Sequence, residues 1–117
     1  MDFTGRDLIS MNDFSRAEID EILSQVDYVR DHPLKNSLCR GKTCAMMFFE
    51  PSTRTRTSFS VAMRNLGGET GGFSDARTTS SMKDESLWDT VKIHDGYGFD
   101  VIVIRHPLKG AARLAAE

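Results

Sequence analysis

An apolar run that passes straight into a hydroxyl-rich helical start, over residues 48–69, constrains this chain more than any other stretch. Phe48 and Phe49 close the run and Glu50 and Pro51 make a turn. Ser52, Thr53, Arg54, Thr55, Arg56, Thr57 and Ser58 then lead into Phe59, Ala62, Met63 and Leu66 at helical spacing. Strand, polar turn and helix in that order make an anion site, because a helix N-terminus presents unpaired N–H groups and a partial positive charge. The arginines in that first turn break a local rule, since a cation there is disfavoured by roughly 0.3–1 kcal/mol. An oxyanion held between Arg54 and the helix start removes the conflict, and broken local rules mark functional sites. The competing reading is an ordinary cap, Ser52 or Thr53, with both arginines on a solvated face.

The remaining elements fall on either side of this stretch. After an extended lead-in over residues 7–12, Ser15, Arg16, Ala17 and Glu18 have the spacing of a capping box. Ile19, Ile22, Leu23, Val26 and Val29 follow at helical intervals, and Pro33 pushes the residue before it out of the helical region, so an amphipathic helix of about four turns is expected to stop near Asp31. His32 is then a loop or helix-end histidine. Residues 34–42 read as a polar loop, and residues 43–49 as a parallel strand covered on both faces. Gly67 and Gly68 stop the next helix. Residues 69–73 form a second strand whose Gly71 and Gly72 signal close backbone approach.

Residues 74–83 are polar and read as a loop. A third helix begins at Asp84 and Glu85, packs through Leu87, Trp88 and Val91, and closes at Gly96 and Gly98, with His94 as a packing or surface residue. Residues 100–104 form a third strand, again buried in character. It delivers Arg105, His106 and Pro107 to its carboxyl end before a further helix over residues 110–116. This order, α then β-α-β-α-β-α, folds by right-handed crossovers into an α/β structure of three layers, a parallel sheet with helices on both faces. Arg54 and Arg105 both follow strand carboxyl ends, where open α/β sheets bind ligands.

With 117 residues the chain supports one small domain, residues 1–117, and its net charge of -2 argues against general nucleic-acid binding. No apolar run reaches membrane-spanning length, and the start lacks the basic-then-apolar pattern of a secretory signal. Two cysteines, Cys39 and Cys44, have no partner pattern for zinc or a disulfide framework. Cys44 reads as a buried thiol and Cys39 as an incidental loop residue. A cytoplasmic setting without metal or cofactor is expected.

The pattern Phe-x-x-x-Ser-Thr-Arg-Thr-Arg-x-Ser-Phe, from Phe48 to Phe59, resembles the carbamoyl-phosphate signature of the aspartate and ornithine carbamoyltransferases. Arg-His-Pro-x-x-Gly-Ala-Ala-Arg-Leu-Ala, from Arg105 to Ala115, is similar to the aspartate branch, whose arginine binds the carbamoyl oxygen; the ornithine branch reads differently there. Residues 80–90 resemble the family loop in which a serine and a lysine reach into a neighbouring subunit's site, here Ser80 or its neighbour Ser81, with Ser80 preferred, and Lys83. Asp84 stands where the family usually has glycine.

The resemblance implies the carbamoyl-phosphate domain of the carbamoyltransferase fold, the first half of a longer enzyme whose second domain binds aspartate. It implies transfer of the carbamoyl group from carbamoyl phosphate to the amine of L-aspartate, a step of pyrimidine biosynthesis. Ser52, Thr53, Arg54 and Thr55 would hold the phosphate, and Thr55 and Arg105 would polarise the carbonyl. Ser80 and Lys83 would act across an interface in a homotrimer with shared sites, to which a regulatory subunit could bind. His106 is adjacent to Arg105, and because a neighbour at i+1 points elsewhere it is read as structural. Two alternatives stand beside this reading: a phosphoanion-binding or assembly module without catalysis, and an ornithine carbamoyltransferase.

Overall fold

The structure, a computed structural model, describes residues 2–31, 38–73 and 87–117. It divides into two compact units, Met1–Leu34 and Lys35–Glu117. In the first, Ser10 caps a short 3-10 turn, Met11–Asp13, by accepting the Asn12 N–H at 3.2 Å. This turn takes up the end of the stretch expected to be extended. Helix α1, Arg16–Asp31, then begins with a complete capping box: the Ser15 N–H donates to Glu18 Oε1 at 2.8 Å and the Glu18 N–H donates to Ser15 Oγ at 3.1 Å.

Arg6 holds this entry from outside the helix. Its guanidinium lies over the rings of Phe14 and Phe3, 4.4 and 5.7 Å from their centroids, pairs with Glu18 and donates to the Asp13 carbonyl at 3.0 Å. The hydrogen bond from the Ser15 amide, then that from Arg6, holds the Glu18 carboxyl below the usual glutamate range. The apolar stripe of α1 is not a buried face. Leu23, Val26 and Val29 are 58%, 60% and 40% exposed, and α1 contributes no buried residue, because its own unit holds no second long helix or sheet among the described residues.

The second unit is built on one strand. β1, Thr43–Phe48, lies at the centre of a three-stranded parallel sheet between β2, Glu69–Phe73, and β3, Val101–Arg105. Its side chains alternate between two separate cores, as strand geometry dictates. Ala45, Met47 and Phe49 pack with Val91 of α3, Leu87–Gly96, and with Ala115 of α4, Ala111–Ala115, together with Phe99, Ile102 and Ile104. Cys44, Met46 and Phe48 pack on the opposite face with Val103 and with Met63 of α2, Thr53–Asn65. Helices therefore cover both faces of a parallel sheet, the three-layer α/β arrangement expected from the sequence. Cys44 is the buried thiol expected, its pKa raised chiefly by loss of water around it.

Two expectations about burial need correction. β3 is an edge strand rather than a buried one: Val101 is 52% exposed and its neighbours are half-buried, because β3 pairs with β1 on one side and has no second neighbour among the described residues. On α2, Met63 and Leu66 are half-buried, whereas Phe59 is 46% exposed and Ala62 is exposed. Packing against the sheet starts at Met63, one turn after Phe59.

The glycine signals hold at Gly67, Gly68 and Gly72, whereas Gly71 faces the Phe99 ring rather than backbone. Gly67, at φ 87°, sends its N–H to the Arg64 carbonyl and Gly68 sends its own to the Met63 carbonyl, both at 3.0 Å, the paired bonds that close a helix around a left-handed residue. Gly72 lies opposite Met46 at φ 105°, and a Cβ there would stand 2.3 Å from the Met46 carbonyl oxygen. His94 Nδ1 donates to the Thr90 carbonyl, 2.8 Å away, and its ring meets Tyr97 and Phe99, a packing role. His32, Pro33, the loop over residues 74–83 and the helix start at Asp84 and Glu85 lie outside the described residues.

Two measurements follow. Gly72→Ala combines a positive φ with a clash against the backbone of the central strand, and should cost about 2 kcal/mol or more in urea unfolding. Glu18 has a depressed folded-state pKa, so its contribution is present above the ordinary glutamate range, about pH 4.3, and is lost as pH falls through the folded value. Glu18→Gln should therefore lower the thermal midpoint at pH 7, with the difference from wild type gone near pH 3 in circular-dichroism melts.

Candidate functional site

The carboxyl end of β1 delivers Phe49, Glu50, Pro51 and Ser52 to the start of α2, and β3 ends beside it at Arg105. One backbone bond ties the two ends: the Phe49 N–H donates to the Arg105 carbonyl at 2.8 Å. Ser52 is the N-cap residue by backbone, since its carbonyl accepts the first intrahelical N–H, from Arg56, at 2.9 Å. Its hydroxyl makes no capping bond. Instead it accepts from Arg105 Nη1 at 2.6 Å, while Arg105 Nε donates to Glu50 Oε1 at 2.8 Å.

Ser52 is therefore an N-cap by backbone alone, and Arg54 and Arg56 are exposed on the helix it opens. Ser52 does not satisfy the first-turn donors, and Thr53 is already inside the helix. The amides of Thr53, Arg54 and Thr55 belong to the turn whose N–H groups have no intrahelical acceptor. Arg54 is exposed and Thr55 half-buried on that turn, and Ser58 Oγ bonds back to the Arg54 carbonyl at 2.9 Å. At the strand ends Arg105 thus meets the carboxylate of Glu50 and the hydroxyl of Ser52 at the start of α2, and Arg54 lies in the helical turn that follows. Beside it lies a cavity of about 360 Å³ lined by Ile104, Arg105, His106, Leu108, Glu50 and the start of α4. The cavity reaches the site on the Arg105 side, and the first turn of α2 does not line it.

Of the candidates read from the sequence, Ser52 and Arg105 are in direct contact, and Thr53, Arg54 and Thr55 share the helical turn that Ser52 opens. Ser80 and Lys83 lie outside the described residues. Glu50 was read only as a turn residue, although it is the carboxylate that holds Arg105. The available signal was an acid between an apolar strand and a cationic turn; its partner, 55 positions away, could not be read from spacing.

Residues 6–117 match the family profile described as aspartate/ornithine carbamoyltransferase, carbamoyl-P binding domain. The chain belongs to the aspartate/ornithine carbamoyltransferase family. Among its relatives in that family, the aspartate carbamoyltransferase catalytic subunit of Thermococcus gammatolerans is 53% identical over 120 residues, covering 100% of this chain and 39% of the relative. The catalytic subunit of Clostridium novyi is 53% identical over 114 residues, covering 97% of this chain and 37% of the relative. The catalytic subunit of M. jannaschii aspartate transcarbamoylase superposes with a TM-score of 0.84 at 47% identity, over 95% of this chain and 37% of that one. Aspartate transcarbamoylase from Trypanosoma cruzi, in complex with carbamoyl phosphate and aspartate, gives 0.77 at 36% identity, over 95% and 37%. The chain thus spans less than two fifths of the length of these carbamoyltransferases.

Proposed function

We propose that residues 1–117 are the carbamoyl-phosphate-binding domain of an aspartate carbamoyltransferase. The observation that carries this reading is the convergence of Arg105, from the end of β3, on Ser52, which opens the anion-binding turn after β1. The relatives supporting the aspartate branch are catalytic subunits of that enzyme, and one solved relative holds both carbamoyl phosphate and aspartate.

In this reading the amides of the first turn, the hydroxyls of Ser52, Thr53 and Thr55, and the Arg54 guanidinium take the phosphate oxygens. Arg105 and Thr55 take the carbamoyl oxygen. The neutral amine of L-aspartate attacks the carbonyl carbon, the C=O electrons move onto oxygen, and the tetrahedral oxyanion collapses as the C–O bond to phosphate breaks, the surplus amine proton leaving with the phosphate. Fixed donors aimed at that oxygen lower the barrier by favouring the charge that develops there. Glu50 has a definite role in the resting site: it neutralises Arg105 and holds its fork beside Ser52, so the incoming anion competes with a carboxylate already in place.

Ser80 and Lys83 complete the site from a neighbouring copy in a homotrimer, and aspartate is bound by parts of the enzyme outside this chain. The setting is cytoplasmic, the product feeds pyrimidine synthesis, and a regulatory subunit is a possible partner of the assembly. Among the described residues no helix is long and apolar enough to cross a membrane. Residues 1–117 alone are expected to turn over slowly or not at all.

Formation of N-carbamoyl-L-aspartate by the complete gene product tests the proposal. Activity with ornithine and silence with aspartate would select the other branch, and carbamoyl-phosphate binding without turnover a non-catalytic module. Arg54→Ala should weaken carbamoyl-phosphate binding by at least about 1.5 kcal/mol in calorimetry, the low end for a charge-assisted hydrogen bond. Mixing Arg54→Ala chains with Lys83→Ala chains should restore part of the activity. Mixed oligomers without recovery would rule out shared sites.

A further inference from the structure

His106 follows Arg105 but turns its side chain to other partners. Its ring lies against Phe49, with centroids 4.9 Å apart, and its Nδ1 accepts the Leu108 N–H at 3.1 Å. Pro107 between them has no N–H, so Leu108 supplies the first amide that can close this turn. The proline also keeps the backbone of His106 extended. An accepting Nδ1 places the ring proton on Nε2. His106 thereby joins three features: the residue after β1, the end of β3 and the turn into α4. Phe49 is tied a second time, by its own N–H to the Arg105 carbonyl at 2.8 Å.

We propose that His106 is a positioning residue for Arg105. Resting on the functional reading above, it assigns to the imidazole the task of fixing how the chain leaves β3, and so where the guanidinium meets Ser52 and the carbamoyl oxygen. The argument is geometric. Arg105 reaches its two partners from the last residue of an edge strand, and its side chain is 47% exposed. Strand pairing with β1 ends at this residue, opposite Phe48. The direction of the next residues depends on the turn, and the His106 ring closes that turn while bracing it on Phe49. A long side chain carries a small backbone rotation out to its tip, and misplacement of about 1 Å at a reacting centre can cost 100-fold.

The test is a double-mutant cycle on the complete gene product, read as carbamoyl-phosphate affinity by calorimetry, with thermal melts to confirm folding. His106→Phe keeps an aromatic ring on Phe49 and removes the Nδ1 acceptor. It should weaken binding about tenfold. His106→Asn, whose Oδ1 can accept the same N–H, should return affinity to within about threefold of wild type. In an Arg105→Ala background, His106→Phe should change nothing further, because the effect passes through the missing guanidinium. Should His106→Phe not fold, His106→Gln, whose amide sits nearer the Nε2 position, enters the same cycle with the same expected loss.

Equal losses from His106→Phe with and without Arg105, or an Asn variant as weak as the Phe variant, would overturn the assignment while wild-type binding and its loss in Arg105→Ala leave the functional reading intact. A wild-type protein that does not bind carbamoyl phosphate would overturn both.

Discussion

The burial of β1 on both faces is the constraint from which the site descends. Ala45, Met46 and Met47 are at most 1% exposed, and a strand with no solvent-facing side offers no freedom to slip by one residue. A slip would exchange the two cores, sending Met46 and Phe48 to the face that fits Ala45 and Met47. Register is therefore set by packing, and with it the height at which Glu50 and Ser52 emerge above the sheet. β3 inherits the same register through its pairing, Phe48 opposite Arg105. The contact between Arg105 and Ser52 is a consequence of two cores filled by the same six-residue strand.

Electrostatics at the strand ends then follows from placing cations where a helix dipole disfavours them. Arg105 approaches the start of α2 from another strand, and Glu50 at 2.8 Å supplies the compensating negative charge. Arg54 has no such carboxylate among the described ion pairs. Among the described ion pairs the carboxylate sits at Arg105 and not at Arg54. In the proposed reading the phosphate of carbamoyl phosphate would meet Arg54 and the helix start, and its carbonyl an arginine already shared with Glu50.

Local chemistry was legible in the sequence where the physical rule spans a few residues. The reciprocal bonds of Ser15 and Glu18, the closing bonds of Gly67 and Gly68, and the close approach at Gly72 were each written in residue types at fixed spacing. The double coverage of β1 was legible because a continuous apolar run leaves no polar face. Position in the sheet was not. Val-Ile-Val-Ile at an edge reads like the same residues at the centre, so β3 was expected to be buried and is half-exposed. The stripe on α1 shows the same limit, since periodicity states which side is apolar and not what covers it. Glu50 failed for a third reason: an ion pair across 55 positions is made by topology, and no local pattern encodes it. The family signature supplied the candidates Ser52, Arg54 and Arg105, whereas the partner that restrains Arg105 came only from geometry.

The exposure of the two guanidinium groups divides the work that this crevice can do by itself. Opposite charges 4 Å apart attract by about 1 kcal/mol in bulk water and about 4 kcal/mol at the effective dielectric of a protein surface site. Arg54 is exposed and Arg105 is 47% exposed, so both lie toward the watery limit, where the proposed capture of a doubly charged phosphate would rest on several weak attractions added to the helix N–H bonds. Stabilising a tetrahedral oxyanion is more demanding, since the donors must gain strength as charge develops, and that gain is largest where water is excluded. A site with guanidinium groups this exposed is thus suited to binding before it is suited to turnover. Excluding water from Arg105 is what turnover would ask of this site beyond binding, and Glu50, already paired with Arg105, is the group an anion there has to displace or re-pair.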